Sequence, residues 1–423
     1  MTDQMGADQP AMGLQGRGGM LLRAMLAQNV GTGCAFGGLG VSVLALQDRF
    51  QSSLGMATMG LSLTVFSMTA LGPVTAGLIS RCGLRSVMSV GVVTSLLGYV
   101  ALAYASTMPL ALAACALLIG PGAALFAALP PAVLASGWYP DERGKVMGIA
   151  YLPLFVTFIP LLGVSIIQRY GLTAFYLSIS AIHLLLLPLM LGVKDPPAEC
   201  REEQGIVETP AQGSGPFLIL GSALFWLIVL GDGILNGTAI AGSAHMLPIV
   251  EGYGVSVETG AILLSVSGAS SIVGSLLAGY ACDRLGSAKT LALAAMGFAL
   301  AWLLIAATGW LPVLTLSAFL IGLCGAAVFP PVSALVVEVF GIDALPKVLG
   351  LVGVMTLPFT FMMAPATGWL HDLSGGYGSA FAALIATCLV AAATFLGMSR
   401  HLVRKAAEDA DLASAALSTA KPG

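Results

Sequence analysis

Asp232 sits in Leu230-Gly-Asp-Gly-Ile-Leu-Asn-Gly237, near the centre of an otherwise apolar run. No other acidic residue of the chain is set so deep in such a run. A carboxyl group at mid-membrane depth costs roughly 2.5–3.5 kcal/mol on insertion scales. Its chemistry there is to take up and release a proton or to grip a polar group from a wet cavity. The residues leave a second reading open, a packing acid beside Gly231 and Gly233 bonded to a neighbouring helix. Asn236 follows one turn later on the same helical face. Gln28 and Asn29 either line a cavity or bond between helices. Tyr151, Phe155, Phe329, Met355 and Phe359 suit an apolar solute pocket or a lipid-facing surface. His183 is read as structural, and the four-residue stripe Ser267, Ser271, Ser275 as a packing face.

Other chemistry is absent from the pattern. The seven cysteines are scattered without paired spacing, so neither a metal site nor a disulfide frame is expected. There is no H-E-x-x-H, no phosphate-cradling G-x-x-x-x-G-K-[ST], and no set of polar residues from which a catalytic triad could be built. No cofactor and no enzymatic activity are expected.

These residues need helices to hold them. The chain is 57% hydrophobic and 9% charged, with mean hydropathy +0.95, against roughly 25% charged in an average soluble protein. Lipid must therefore be its main solvent. Twelve apolar runs are long enough to cross ~30 Å of hydrocarbon as helices. In the first half they are 20–46, 57–79, 87–105, 110–136, 146–167 and 174–193. In the second half they are 217–242, 259–282, 290–308, 313–339, 348–370 and 380–398. The runs are solidly apolar rather than alternating, which argues against a membrane barrel. The long polar stretch Lys194–Ser214 divides them. The expected organisation is a disordered tail (1–20), a six-helix bundle (21–193), a connector (194–214), a second six-helix bundle (215–398) and a tail (399–423). With both tails and the connector on one side, fifteen of the seventeen Lys and Arg fall on that side and only Arg49 and Arg169 on the other. The bias places both termini and the connector in the cytoplasm. The net charge of −3 suggests no nucleic-acid partner.

The halves echo one another at an offset near two hundred residues. Ser80-Arg81-Cys82-Gly83-Leu84-Arg85 after the second run matches Asp283-Arg284-Leu285-Gly286 after the eighth. Pro130-Pro131 matches Pro330-Pro331, and Lys145-Val-Met-Gly148 matches Lys347-Val-Leu-Gly350. Three echoes in register argue for a duplicated unit, the arrangement in which solutes bind between halves at the bilayer midplane.

A G-x-x-x-D-R-x-G-type motif in the loops after helices 2 and 8, with twelve helices and a long central loop, resembles the major facilitator superfamily over roughly residues 20–400. That resemblance implies an all-α fold of two pseudo-symmetric six-helix bundles and an inner gate at Arg81, Gly83, Arg85, Asp283, Arg284 and Gly286. The first copy departs from the pattern, with Ser80 where Asp is usual and Ala76 where the first Gly is usual. Gly137-Trp-Tyr-Pro-Asp-Glu-Arg-Gly144 and Gly368-Trp-Leu-His-Asp372 with Gly376-Tyr377 and Phe381 resemble loops of the monocarboxylate and oxalate–formate carriers. Carriers of that group grip an anion with Lys or Arg inside helix 1, 8 or 11, and none stands there in this chain. The resemblance implies a secondary active transporter working by alternating access. Its expected substrate is a small monocarboxylate-like organic acid taken with a proton. The alternatives are uptake or efflux of a neutral apolar compound and, from another class, a non-transporting membrane sensor. The setting implied is a multi-pass, monomeric protein of a bacterial inner membrane. Candidate substrate or proton contacts are Asp232, Asn236, Asn29, Tyr151, Phe155, Phe329 and Phe359.

Overall fold

The apolar runs are helices, and the places where they turn are set by glycine. The computed structural model describes residues 16–139, 143–195, 219–341 and 344–419, and twelve helices are found among them. The first half holds α1 (Arg17–Phe50), α2 (54–82, bent at Leu71), α3 (84–103), α4 (Met108–Trp138), α5 (143–170, broken at 151–153) and α6 (172–191). The second half holds α7 (Ala223–Gly252), α8 (Val257–Leu285), α9 (Ser287–Ala307), α10 (Leu311–Phe340), α11 (345–374) and α12 (Gly378–Thr419). No loop of any length separates α2 from α3 or α8 from α9. The chain reverses at Gly83 (φ 76°, ψ 159°) and at Gly286 (φ 89°, ψ 158°). A side chain is strained at that φ, so both copies of the motif need glycine there. The matching dihedrals carry the sequence repeat into the backbone.

Within each half the helices pack through small residues. A Cβ added to Gly122 on α4 would lie 2.8 Å from the Gly91 carbonyl oxygen of α3, and one on Gly322 of α10 would lie 1.8 Å from the Ser267 carbonyl oxygen of α8. Lipid offers no hydrophobic drive between helices, so such close backbone approach is how they hold together. Polar side chains cap the ends of other helices. Arg23 Nε donates to the Leu189 carbonyl at the end of α6 (2.9 Å). Arg49 donates to the Ala103 and Ala105 carbonyls beyond α3 (3.1 and 3.0 Å). The Asp195 carboxylate accepts from Leu84 N–H at the start of α3 (2.8 Å).

The halves meet through α2 with α11, α5 with α8, and α1 with α7. Among the described residues the close backbone contacts lie towards the end away from the chain termini, here called the far end. There Gly368 of α11 lies against the Gly55 backbone of α2. Gly268 of α8 lies against Val156 and Thr157 of α5, and Gly40 of α1 against the Ser243 carbonyl of α7. At the terminus-bearing end the same helices part. A Cβ added at Gly77 on α2, Gly279 on α8, or Gly350 and Gly353 on α11 would meet nothing within 4 Å. Among the described residues, the halves are in close contact at the far end and stand apart at the other.

Several boundaries differ from those the sequence suggests. Helix α7 does not stop at Gly242. It continues to Gly252 because residues 244–250 are buried against the rest of the second half. Helix α1 begins at Arg17, inside the stretch expected to be a tail. Helix α12 runs on to Thr419, so most of the expected C-terminal tail is helical, in keeping with its alanine-rich sequence. The connector lies outside the described residues apart from Lys194 and Asp195.

Candidate functional site

A cavity of about 190 Å³ lies between the halves, just inside the far-end closure. It draws on α1, α5, α7, α8 and α10. Its wall combines Phe36, Val156, Pro160, Leu264 and Ile321 with the hydroxyls of Ser243, Ser267 and Ser271. Gly37, Gly268, Gly322 and Gly325 also line it. None of the described residues that line it is charged. Helix α1 widens to i→i+5 bonding over Gly33–Leu39, the stretch that holds the lining residues Phe36 and Gly37. Widened turns of this kind are frequent at functional sites. Ser243 donates to the Ala239 carbonyl (3.1 Å) and Ser271 to the Gly268 carbonyl (2.6 Å), so each hydroxyl keeps lone pairs for a solute.

The seven residues proposed from sequence fall outside this lining and in three places. Asp232 and Asn236 form one pair on α7. Asn236 Nδ2 donates to Asp232 Oδ1 (2.8 Å) and shares its hydrogens with the Asp232 carbonyl (3.0 Å). Asp232 is 8% exposed. Positions 232, 236, 239 and 243 make one stripe of α7, so the pair continues the cavity-lining face towards the open end. Phe359 of α11 packs beside it against Gly233 and Gly237.

Asn29, Tyr151 and Phe155 form a second group in the first half. Asn29 Oδ1 accepts from both Leu154 N–H (2.7 Å) and Phe155 N–H (3.1 Å). It thereby caps α5 where that helix restarts after Pro153, a local N-cap being lacking. Phe155 packs on Gly33, and the Tyr151 hydroxyl donates to the Ala128 carbonyl (2.6 Å). Asn29→Val should cost about 1–3 kcal/mol for each N–H left without an acceptor, and thermal unfolding in detergent would register it as a lowered midpoint. Phe329 stands apart on α10, 70% exposed.

The motif residues lie at the open end. Arg81, Arg85, Asp283 and Arg284 are exposed, and Arg284 lies over the Tyr280 ring at 5.3 Å. His183 is buried, with Nδ1 2.9 Å from the Ile179 carbonyl.

Sequence reasoning passed over Ser243 and His245 and treated Ser267 and Ser271 as packing. Ending α7 at Gly242 places the first two in a loop. His245 is fully buried, with Nδ1 2.9 Å from the Tyr377 hydroxyl and Nε2 2.8 Å from the Ala364 carbonyl. An available signal was the pairing of a histidine just past an apolar run with the Trp369–Tyr377 motif.

The major facilitator superfamily model matches residues 25–260 and 233–420. The chain is 26% identical over 391 residues to human (Homo sapiens) monocarboxylate transporter 11, covering 86% of this chain and 79% of the relative. It is 24% identical over 351 residues to rat (Rattus norvegicus) monocarboxylate transporter 13, covering 80% and 78%. Among solved structures it resembles the inward-open xylose transporter XylE from E. coli (TM-score 0.71, 14% identity, 90% and 96% coverage). It also resembles a bacterial homolog of the human lysosomal transporter spinster in an inward-facing, occupied conformation (TM-score 0.66, 16% identity, 91% and 97% coverage). With its duplicated six-helix halves and the cavity between them, the chain belongs to the major facilitator superfamily and is a multi-pass membrane transporter that resembles the monocarboxylate group.

Proposed function

We propose that this protein carries a small monocarboxylate-like organic acid together with a proton, by alternating access. The observation that carries the reading is the cavity wall, which offers hydroxyls and apolar surface and no charge. A carboxylate buried without a cation loses its hydration uncompensated, a penalty of several kcal/mol. An acid accompanied by a proton is neutral overall and meets that wall without the penalty, its carboxyl group exchanging hydrogen bonds with Ser243, Ser267 and Ser271. Kinship to proteins named monocarboxylate transporters favours an acid over other neutral solutes. Asp232, paired to Asn236 on the same stripe of α7, is the group we assign to exchange the proton with the bound acid and to release it when the site is empty. The Lys and Arg bias puts the open end at the cytoplasm, in a membrane of the bacterial inner type. Opening of the far end then loads solute from outside, and Arg81, Arg85, Asp283 and Arg284 form the gate that closes the inner end.

Uptake of labelled carboxylic acids into proteoliposomes tests the proposal. An inward proton gradient should raise initial uptake of at least one short-chain monocarboxylate about tenfold, a shift of ~1.4 kcal/mol. The same apolar wall would also take a neutral solute. Tight, correctly reconstituted vesicles that accumulate no acid under a gradient would move the assignment to a neutral apolar compound.

A further inference from the structure

The three hydroxyls of the cavity wall are not equivalent, and they are the only polar side chains among its described lining residues. Ser243 commits its hydrogen to the Ala239 carbonyl, and Ser271 commits its own to the Gly268 carbonyl. A serine hydroxyl has one hydrogen to give and two lone pairs. In this arrangement Ser243 and Ser271 can only accept from a solute. The Ser267 hydroxyl has no hydrogen-bond partner among the described residues, so its hydrogen is available. The wall therefore asks a solute for one acceptor and two donors. Ser267 and Ser271 stand one turn apart on the same face of α8, a spacing that leaves about 5–6 Å between Cβ atoms. A planar group with a carbonyl beside an N–H or O–H bridges such a pair, its oxygen on Ser267 and its hydrogen on Ser271. Ser243 comes to the same cavity from α7 and is left for a second donor.

We infer that the cavity is a binding site for short-chain primary carboxamides as well as for the acid. An ionised carboxylate offers acceptors alone and leaves Ser243 and Ser271 without a donor. A protonated acid offers one acceptor and one donor and leaves one hydroxyl over. A primary carboxamide offers one carbonyl and two N–H groups, which matches the wall group for group. It is neutral without taking up a proton, so no charge is desolvated when it enters. Its apolar chain has Phe36, Val156, Pro160, Leu264 and Ile321 to pack against. The assignment rests on the reading above that this cavity is the solute site, and not on the coupling of the acid to a proton.

The test compares butyramide with 2-pentanone, which keeps the chain, the carbonyl and the shape but puts a methyl group where the amide has its nitrogen. Binding of each to the full-length protein in lipid nanodiscs is measured by saturation-transfer NMR, with empty nanodiscs as the blank for partition into lipid. Butyramide should bind the wild type at least about tenfold tighter than 2-pentanone, on the strength of two neutral hydrogen bonds. Ser271→Ala and Ser243→Ala each remove an acceptor, and each should lower that ratio about fivefold by weakening the amide alone. Ser267→Ala removes the donor that both compounds use, and should weaken both about fivefold with the ratio unchanged. Equal binding of the two compounds to the wild type, or a ratio that survives in both acceptor variants, overturns the assignment. Parallel weakening of both compounds in the acceptor variants also counts against it, since the ketone makes no bond there. Should the assignment fail while a proton gradient still drives acid into proteoliposomes, the carboxamide is removed and symport stands. An amide preference with this serine pattern, in a protein that accumulates no acid, keeps the carboxamide and removes the acid.

Discussion

Gly368→Val should trap the transporter with its far end open and reduce uptake at least about a hundredfold. At Gly368 a Cβ would sit 2.6 Å from Gly55 Cα and 2.7 Å from Gly55 N, both backbone atoms of α2. No rotamer relieves that overlap, so the closed arrangement must be given up. Overpacking of this severity costs about 3 kcal/mol, and each 1.4 kcal/mol is tenfold in population. The clash lies between halves and not within one, and position 368 is an ordinary helical site of α11. Each bundle therefore folds as before. Gly252→Ala is the matched control, because a Cβ there meets nothing within 4 Å. The readout is initial uptake in proteoliposomes, alongside labelling of a cysteine placed at Ser243 by a membrane-impermeant thiol reagent added from the far side. That site should be shielded behind the seal in wild type and reactive in the valine variant. Wild-type uptake by Gly368→Val would mean that the α2–α11 contact is not part of the transport cycle.

How much of this was legible from sequence depends on what each residue's neighbours must be. Helix count and duplication are written in the chain. An apolar run of twenty residues has few alternatives in lipid, and the glycines of the two motif copies, Gly83 and Gly286, encode the same backbone reversal. The direction a side chain faces is much harder to read. In a soluble helix the polar face marks the outside, but here lipid-facing and cavity-facing positions are both apolar, so Phe36 and Phe158 look alike although one lines the cavity and the other is 57% exposed. The glycines of the wall add another difficulty: a Cβ at Gly268 would meet the α5 backbone at 2.9 Å and one at Gly322 the Ser267 carbonyl oxygen at 1.8 Å, and an absent side chain leaves no local signature of what it lets approach. Asn29 illustrates a different obstacle. Its two acceptor bonds go to the start of a helix more than a hundred residues away, a partner that no spacing rule within α1 can name. His245 was hidden because the glycine at 242 reads as a helix end, whereas in lipid α7 continues through it.

Asp232→Asn should cut gradient-driven uptake at least about tenfold while leaving solute exchange across the membrane near its wild-type rate. The amide at 232 retains an oxygen able to accept from Asn236 Nδ2, so the pair's geometry on α7 is kept. What disappears is the capacity to bind and release a proton on the stripe that runs from the open end to Ser243. Exchange of labelled for unlabelled acid on two sides of a vesicle needs the carrier to cycle loaded, with no net proton movement. Net uptake requires the empty carrier to return deprotonated. A proton-carrying Asp232 therefore predicts a split between the two assays, with the remaining uptake insensitive to the proton gradient. A packing acid predicts no such split, since Asp232→Asn would then lower both rates together or neither. Asp232→Leu supplies the contrast. It takes away the acceptor as well as the charge and leaves Asn236 Nδ2 with the backbone carbonyl of residue 232 alone. At about 1–3 kcal/mol for a buried polar group that loses its partner, it should lower thermal stability in addition to abolishing gradient-driven uptake. Stability that falls in Asp232→Leu and holds in Asp232→Asn, together with the split between net uptake and exchange, would separate the carboxyl group's proton chemistry from its place in the packing of α7.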